Sequence, residues 1–174
     1  METQDTMQGN AKPQVKLLRL DNYLAAIEGS IGSELFRHVY ASVAGVRKDL
    51  VEDGRTSCAY FVSGVLTMAN VALLAPPDAP NTTVAGLMRS LERFGWQKVA
   101  SPSTPGEIII WEKMAQARGE QHLHAGFYIG GERAVSHVDS TRTPQEHHIT
   151  FGAREDGSPM RRIIAVYTHK LLAQ

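Results

Sequence analysis

The chain has one cysteine, Cys58, and seven histidines, of which His122 and His124 alternate along an apolar stretch and His137, His147 and His148 follow it. Cys58 stands directly behind Thr56 and Ser57, either of which can cap the apolar helix that begins there. In a first helical turn the unpaired backbone N–H groups and the helix dipole favour an anion, so a thiol there can fall into the pKa range of a nucleophile. The competing reading is a small buried hydrophobe, the commonest use of a lone cysteine. A histidine decides between the two. A cysteine nucleophile needs an imidazole that takes its proton and returns it to the leaving group, and a second polar group that fixes the tautomer of that imidazole.

Residues 122–130, followed by Gly131 and Glu132, read as a strand entering a two-residue Gly130-Gly131 turn, where glycine supplies the positive φ. Counting outward from an Ile129/Glu132 pair sets His124 opposite His137, His122 opposite Asp139 and Gly126 opposite Val135. Leu123/Val138, Ala125/Ser136 and Phe127/Ala134 fill the other face. Opposed Cβ atoms lie about 4.5–5.5 Å apart, within reach of an imidazole–imidazole hydrogen bond. His124 is therefore the expected base and His137 its orienting partner, with Asp139, His122, His147 and His148 as alternatives for the third position. Gly126 is expected to let the Cys58 helix come close. The same histidines support a second reading, in which His122 and His124, with His137 or one of His147 and His148, form a three-histidine zinc site. The thiol mechanism needs neither a metal nor any other cofactor, and none is assigned.

These residues must be held by elements that the pattern also indicates. Leu18, Leu20, Tyr23, Leu24 and Ile27 form a helical stripe ending at Gly29, and residues 35–51 resemble a hairpin around Gly45. A helix is expected over residues 58–74, stopped by Pro76-Pro77. A second, capped by Thr82 or Thr83, carries Val84, Leu87, Met88, Leu91 and Phe94 up to Gly95. Residues 107–112 read as a strand buried on both faces, and strands are expected over residues 122–130, 134–139, 147–151 and 161–168. Helices first and strands later indicate an α+β fold. Residues 1–14 form an expected flexible tail and residues 15–174 a single domain. His38, His169 and the Arg161-Arg162 pair are expected at the surface, and Trp96 in the core or the wall of a cleft.

Eighteen basic and eighteen acidic residues cancel, so no whole-domain field exists for nucleic acid or an anionic membrane. A single cysteine excludes an intramolecular disulfide and thiolate-rich zinc sites. No secretory signal and no apolar run of membrane-spanning length is visible, so the expectation is a soluble protein, cytoplasmic as synthesised, that another route could export.

Three segments carry a resemblance. Thr56-Ser-Cys-Ala-Tyr-Phe-Val-Ser63 is similar to the cysteine-bearing helix start of the NlpC-type cysteine peptidases, Pro105-Gly-Glu-Ile-Ile-Ile-Trp111 resembles that family's Gly-Asp-Leu-Val-Phe-like strand, and His124-Ala-Gly-Phe-Tyr-Ile-Gly130 resembles its His-Val-Gly-Ile-Tyr-Leu-Gly strand. Order and spacing agree over residues 55–140, although the turn is one residue longer. The resemblance implies a papain-like α+β core with N-terminal helices packed on an antiparallel sheet. It also implies hydrolysis of amide bonds in peptidoglycan stem peptides, with Cys58 as nucleophile, His124 as base and His137 as the orienting residue. Ser57, Tyr60, His122 and Trp111 are the expected substrate contacts, and a peptide or peptidoglycan fragment the expected partner. Relatives of the fold include acyltransferases and isopeptidases, which remain alternatives, as does a metal-bound or non-catalytic binding module.

Overall fold

The computed structural model describes residues 14–71, 81–115 and 120–173. Residues 1–13 of the expected tail and the Pro76-Pro77 helix stop lie outside them. Helix α1 (Arg19–Gly29) buries Tyr23 and Ile27, and strands β1 (Tyr40–Val43) and β2 (Val46–Asp49) form a separate hairpin. Its two turn residues, Ala44 and Gly45, both have positive φ, as a two-residue hairpin turn requires. Helix α2 (Cys58–Met68) is apolar on nearly every side and buries seven of its residues. It ends at Met68, ahead of Asn70 in a left-handed conformation, and residues 72–74 of the expected helix lie outside the described residues. Helix α3 (Val84–Arg93) begins where Thr83 accepts a hydrogen bond from the Gly86 N–H at 3.1 Å.

Strands β3 (Gln97–Val99), β4 (Ile108–Ala115), β5 (Gln121–Gly130), β6 (Arg133–Val138), β7 (Thr143–His148) and β8 (Ile163–Thr168) make one antiparallel sheet in the order β3-β8-β4-β5-β6-β7. The molecule is therefore an α+β protein in which three helices pack against a six-stranded sheet. Strand β7 starts four residues earlier than expected because Pro144 sits on an edge strand, where a missing N–H costs the sheet nothing. The main core joins Phe61, Val62, Val65 and Leu66 of α2 to Ile108, Ile110, Ala125, Phe127 and Val135 on one face of the sheet. A smaller cluster of Ile109, Trp111, Tyr128 and Ala134 covers the other face. Among the described residues no helix is long and apolar enough to cross a membrane.

The register between β5 and β6 differs from the count made at the turn. Gly126 pairs with Ser136, Phe127 with Val135 and Tyr128 with Ala134, after which the pairing slips so that Gly130 faces Arg133. Strand β5 thus carries one extra residue in a bulge beside the turn, where Gly130 and Gly131 both have positive φ. A slip of one residue exchanges the two faces of a strand. Ser136 therefore shares a face with His124, and His137 turns to the α2 face. Gly126 likewise lies on the face away from α2. A Cβ there would strike the Val135 carbonyl, lie 2.7 Å from the Ser136 Cβ and 3.1 Å from the Trp111 ring. Its missing side chain admits β6 and Trp111, not the helix. Gly126→Ala is expected to lower stability by about 1–3 kcal/mol, the usual cost of overpacking, as read from urea denaturation midpoints; an unchanged midpoint would mean the register is otherwise.

Candidate active site

Strand β5 is paired to β4 along its length, but its pairing to β6 begins only at Gly126. The edge of residues 121–124 is open on that side, and Cys58, the first residue of α2, fills the gap. Its thiol faces the Leu123 carbonyl at 4.0 Å and the Ala125 N–H, backbone groups on the edge that β6 leaves when its last residues, His137 and Val138, stay paired to β7 alone. A cleft of about 690 Å³ opens at this break in the sheet, lined by Cys58, His122, His124, His137, Asp139 and Arg161 among others. The break lets a residue from the helix face and an imidazole from the opposite face border one space.

Burial raises the Cys58 pKa, while the N–H groups of Ala125, Ala59 and Cys58 and the charge of Arg161 pull it down by less. The depression expected from the helix terminus is thus outweighed by desolvation. At rest the sulfur carries its proton, and a base must remove it. The hydrogen bonds of the described residues include none between Cys58 and His124.

His124 is held by a chain of hydrogen bonds whose direction follows from its far end. His147 Nδ1 lies 2.8 Å from the His148 carbonyl, which can only accept, so Nδ1 carries the hydrogen. Burial lowers the His147 pKa, so the ring is neutral and its Nε2 is an acceptor. The Ser136 hydroxyl donates to that Nε2 at 2.7 Å, and the Ser136 oxygen then accepts from His124 Nε2–H at 2.8 Å. Desolvation, with the positive charge of Arg161 behind it, holds His124 well below the usual histidine range. His124 is consequently neutral with Nδ1 as its lone pair. Trp111 and Phe151 wall this chain, Phe151 stacking on the His147 ring at 3.9 Å and both standing about one ring contact from His124, at 5.5 and 5.6 Å. The Trp111 indole is itself tied to the Ile149 carbonyl at 2.7 Å.

His137, the expected orienting residue, does not reach His124. The bulge sends it to the α2 face, where it is 2% exposed beside Phe61 and Gly54, and neither ring nitrogen has a hydrogen-bond partner. Burial pushes it down to about 4, against the pull of Asp139. Ser136 occupies the position assigned to His137, and the extra turn residue was the only sequence signal for it. Of the four expected substrate contacts, His122 lines the cleft and pairs with Glu120 at 3.0 Å. Ser57 is buried with its hydroxyl on the Phe36 carbonyl, Tyr60 packs on the Phe36 ring, and Trp111 is enclosed in the second cluster. Asp139 lies at the cleft rim, 3.8 Å from Arg55. His148 is turned outward onto Thr150, as alternation along a strand requires when His147 faces in.

The surface expectations divide. His38 is half-exposed and binds Asp49 at 2.8 Å, whereas His169 packs on Trp96, itself a core residue, at 5.2 Å. Arg162 is exposed and paired with Glu112. Arg161 instead enters the cleft, with Nε on the Glu112 carbonyl at 3.0 Å and Nη2 on the His122 carbonyl at 2.9 Å. Among the described residues no group of three or more His, Cys, Asp and Glu side chains is arranged to hold a metal ion.

Three imidazoles whose desolvation lowers their pKa values, the fully buried His137 and the partly buried His124 and His147, make the fold sensitive to acid. The unfolded chain takes up these protons near pH 6.5, the folded one only at lower pH, so stability is full above that value and is lost as pH falls toward 4. His137→Leu, which leaves no partner unpaired, is expected to flatten this loss between pH 6.5 and 4 while keeping the stability measured at pH 7.5. A denaturation series in which the variant follows the wild-type slope would contradict the placement of His137. No protein-family model matches the chain, and no curated protein matches it.

Proposed function

We propose that the protein is a cysteine hydrolase that cleaves an amide bond through Cys58 and His124. The observation that carries this reading is the hydrogen-bonded chain from the His148 carbonyl through His147 and Ser136, which leaves His124 neutral with a free Nδ1 in the cleft that Cys58 also lines. The thiol attacks the carbonyl carbon of the substrate as His124 Nδ1 takes its proton. The imidazolium keeps its Nε2–H on Ser136, so the ring does not turn while it waits to protonate the leaving amine. The Cys58 and Ala59 N–H groups at the start of α2 face the sulfur and are suited to the oxyanion that forms beside it. Water then releases the acyl group, with His124 as base again.

The resemblance to NlpC-type peptidases supports a papain-like core and a peptidoglycan stem peptide as the substrate. Both rest on the Cys58, Pro105–Trp111 and His124 segments alone. The helix-on-sheet arrangement and the Cys58 position at a helix start agree with that resemblance without depending on it.

Incubation of purified muropeptides with the protein, followed by mass spectrometry, tests the reading. New fragments whose masses correspond to addition of water across a stem-peptide amide are expected. Cys58→Ala and His124→Asn should yield none, Ser136→Ala should lose about 10²-fold in kcat, in the range typical of impaired acid–base catalysis, and His137→Leu should keep most of the activity. Unchanged muropeptides would remove the stem-peptide substrate. Full activity in Cys58→Ala would remove the thiol mechanism.

A further inference from the structure

The proposed mechanism uses a thiol, an imidazole and a serine, and gives no task to Arg161, one of the charged residues that line the cleft. Arg161 reaches across the end of β4 so that its guanidinium binds two main-chain carbonyls, those of Glu112 and His122. Both bonds fix the plane of the group, and neither neutralises its charge. Glu112, whose backbone it holds, gives its carboxylate to Arg162 at 2.9 Å. Two of the acids that line the cleft have other partners: Glu120 binds His122 at 3.0 Å, and Asp139 lies by Arg55 at 3.8 Å. Among the described residues Arg161 forms no ion pair within 4 Å. The guanidinium is half-buried over the Phe151 ring, 5.8 Å from its centre, beside the imidazole chain and within electrostatic reach of Cys58. Surrounding atoms thus strip water from a cation that holds no counter-ion, an arrangement that attracts an anion from solution.

We infer that Arg161 is a specificity residue that binds a carboxylate of the substrate next to the scissile bond, using the guanidinium N–H groups that the Glu112 and His122 carbonyls leave free. This inference rests on the reading of the cleft as a substrate cleft with Cys58 as nucleophile. It narrows the substrate class to acyl compounds or peptides with a free carboxylate a few bonds from the carbonyl attacked by the thiol. A planar guanidinium held at two points presents its remaining donors in a fixed fork, which matches a carboxylate better than a lysine would.

Because Cys58 is the only cysteine, alkylation reports on this site without any knowledge of the natural substrate. Iodoacetate and iodoacetamide place the same methylene carbon on sulfur with loss of iodide, and differ in that the first carries a carboxylate. The rate ratio of iodoacetate to iodoacetamide at Cys58 is expected to exceed that of free cysteine by about tenfold or more, the effect of one charge-assisted contact of roughly 1.5–3 kcal/mol. Arg161→Gln should return the ratio to that of free cysteine; both reagents draw on the same thiolate, so the ratio is insensitive to any change in the thiol pKa that loss of the Arg161 charge brings. Arg161→Lys, which keeps the charge but not the fork, should retain part of the preference and serves alone if the glutamine variant fails to melt cooperatively. A wild-type ratio no higher than that of free cysteine, or a preference that survives unchanged in the variants, overturns the inference. If neither reagent labels the folded protein, the thiol mechanism fails, and the anion site is read separately by titrating acetate and acetamide into arginine-labelled protein. A saturable shift of the Arg161 Nε–H signal with acetate alone supports the site, and no shift overturns it.

Discussion

The extra residue that β5 carries between Tyr128 and Gly130 determines which side chains share a face of the sheet. It brings Ser136 under His124 and sends His137 into the helix face, where a ring with no polar partner packs on Phe61. The same pairing lets β6 leave β5 after Gly126, which opens the edge that Cys58 fills. Glycine at 126 permits the close approach of the two strands and of Trp111, and the glycines at 130 and 131 permit the bulge. The orientation of the imidazole and the access of the thiol thus share one cause.

Desolvation sets the chemistry of the cleft more than the helix dipole does. A stored thiolate would be costly at this buried position, and an imidazolium would be costly among Trp111, Phe151 and the charge of Arg161. Both groups therefore rest neutral. The proposed proton transfer creates an ion pair only when substrate is attacked, and Arg161 then offers a fixed positive charge that helps to offset the new negative charge. Its influence on both groups has the same sign, lowering the pKa of the thiol and that of the imidazole.

Much of this was legible in the sequence where hydrophobic period and turn chemistry agreed. Helices α1 and α3 and the strands around Ile109 and Phe127 lie where the apolar spacing indicated, and Cys58 begins a helix, although Ser57 at its N-cap makes no capping bond and gives its hydroxyl to the Phe36 carbonyl. His147 and His148 point in opposite directions, as alternation demands. The register between β5 and β6 differs for a local reason. A Gly-Gly pair is compatible with a two-residue turn and with a bulge, and the apolar pattern of β6, with Ala134, Val135 and Val138 spread over both faces, does not choose between the two registers. Ser136 was consequently placed on the wrong face. Arg161 was missed for another reason: its two anchors are backbone carbonyls far away in the chain, and such contacts leave no trace in local spacing.

His124 waits as a neutral ring with its hydrogen on Nε2 and its lone pair on Nδ1. Nitrogen-15 chemical shifts of histidine-labelled protein near neutral pH measure this directly, because the protonated and unprotonated ring nitrogens have well-separated signals. An Nε2–H tautomer of His124 that persists to pH values well below the usual histidine range, and becomes a tautomer mixture in Ser136→Ala, is expected. An Nδ1–H tautomer, an imidazolium at pH 7, or a spectrum that ignores the Ser136 substitution would contradict it.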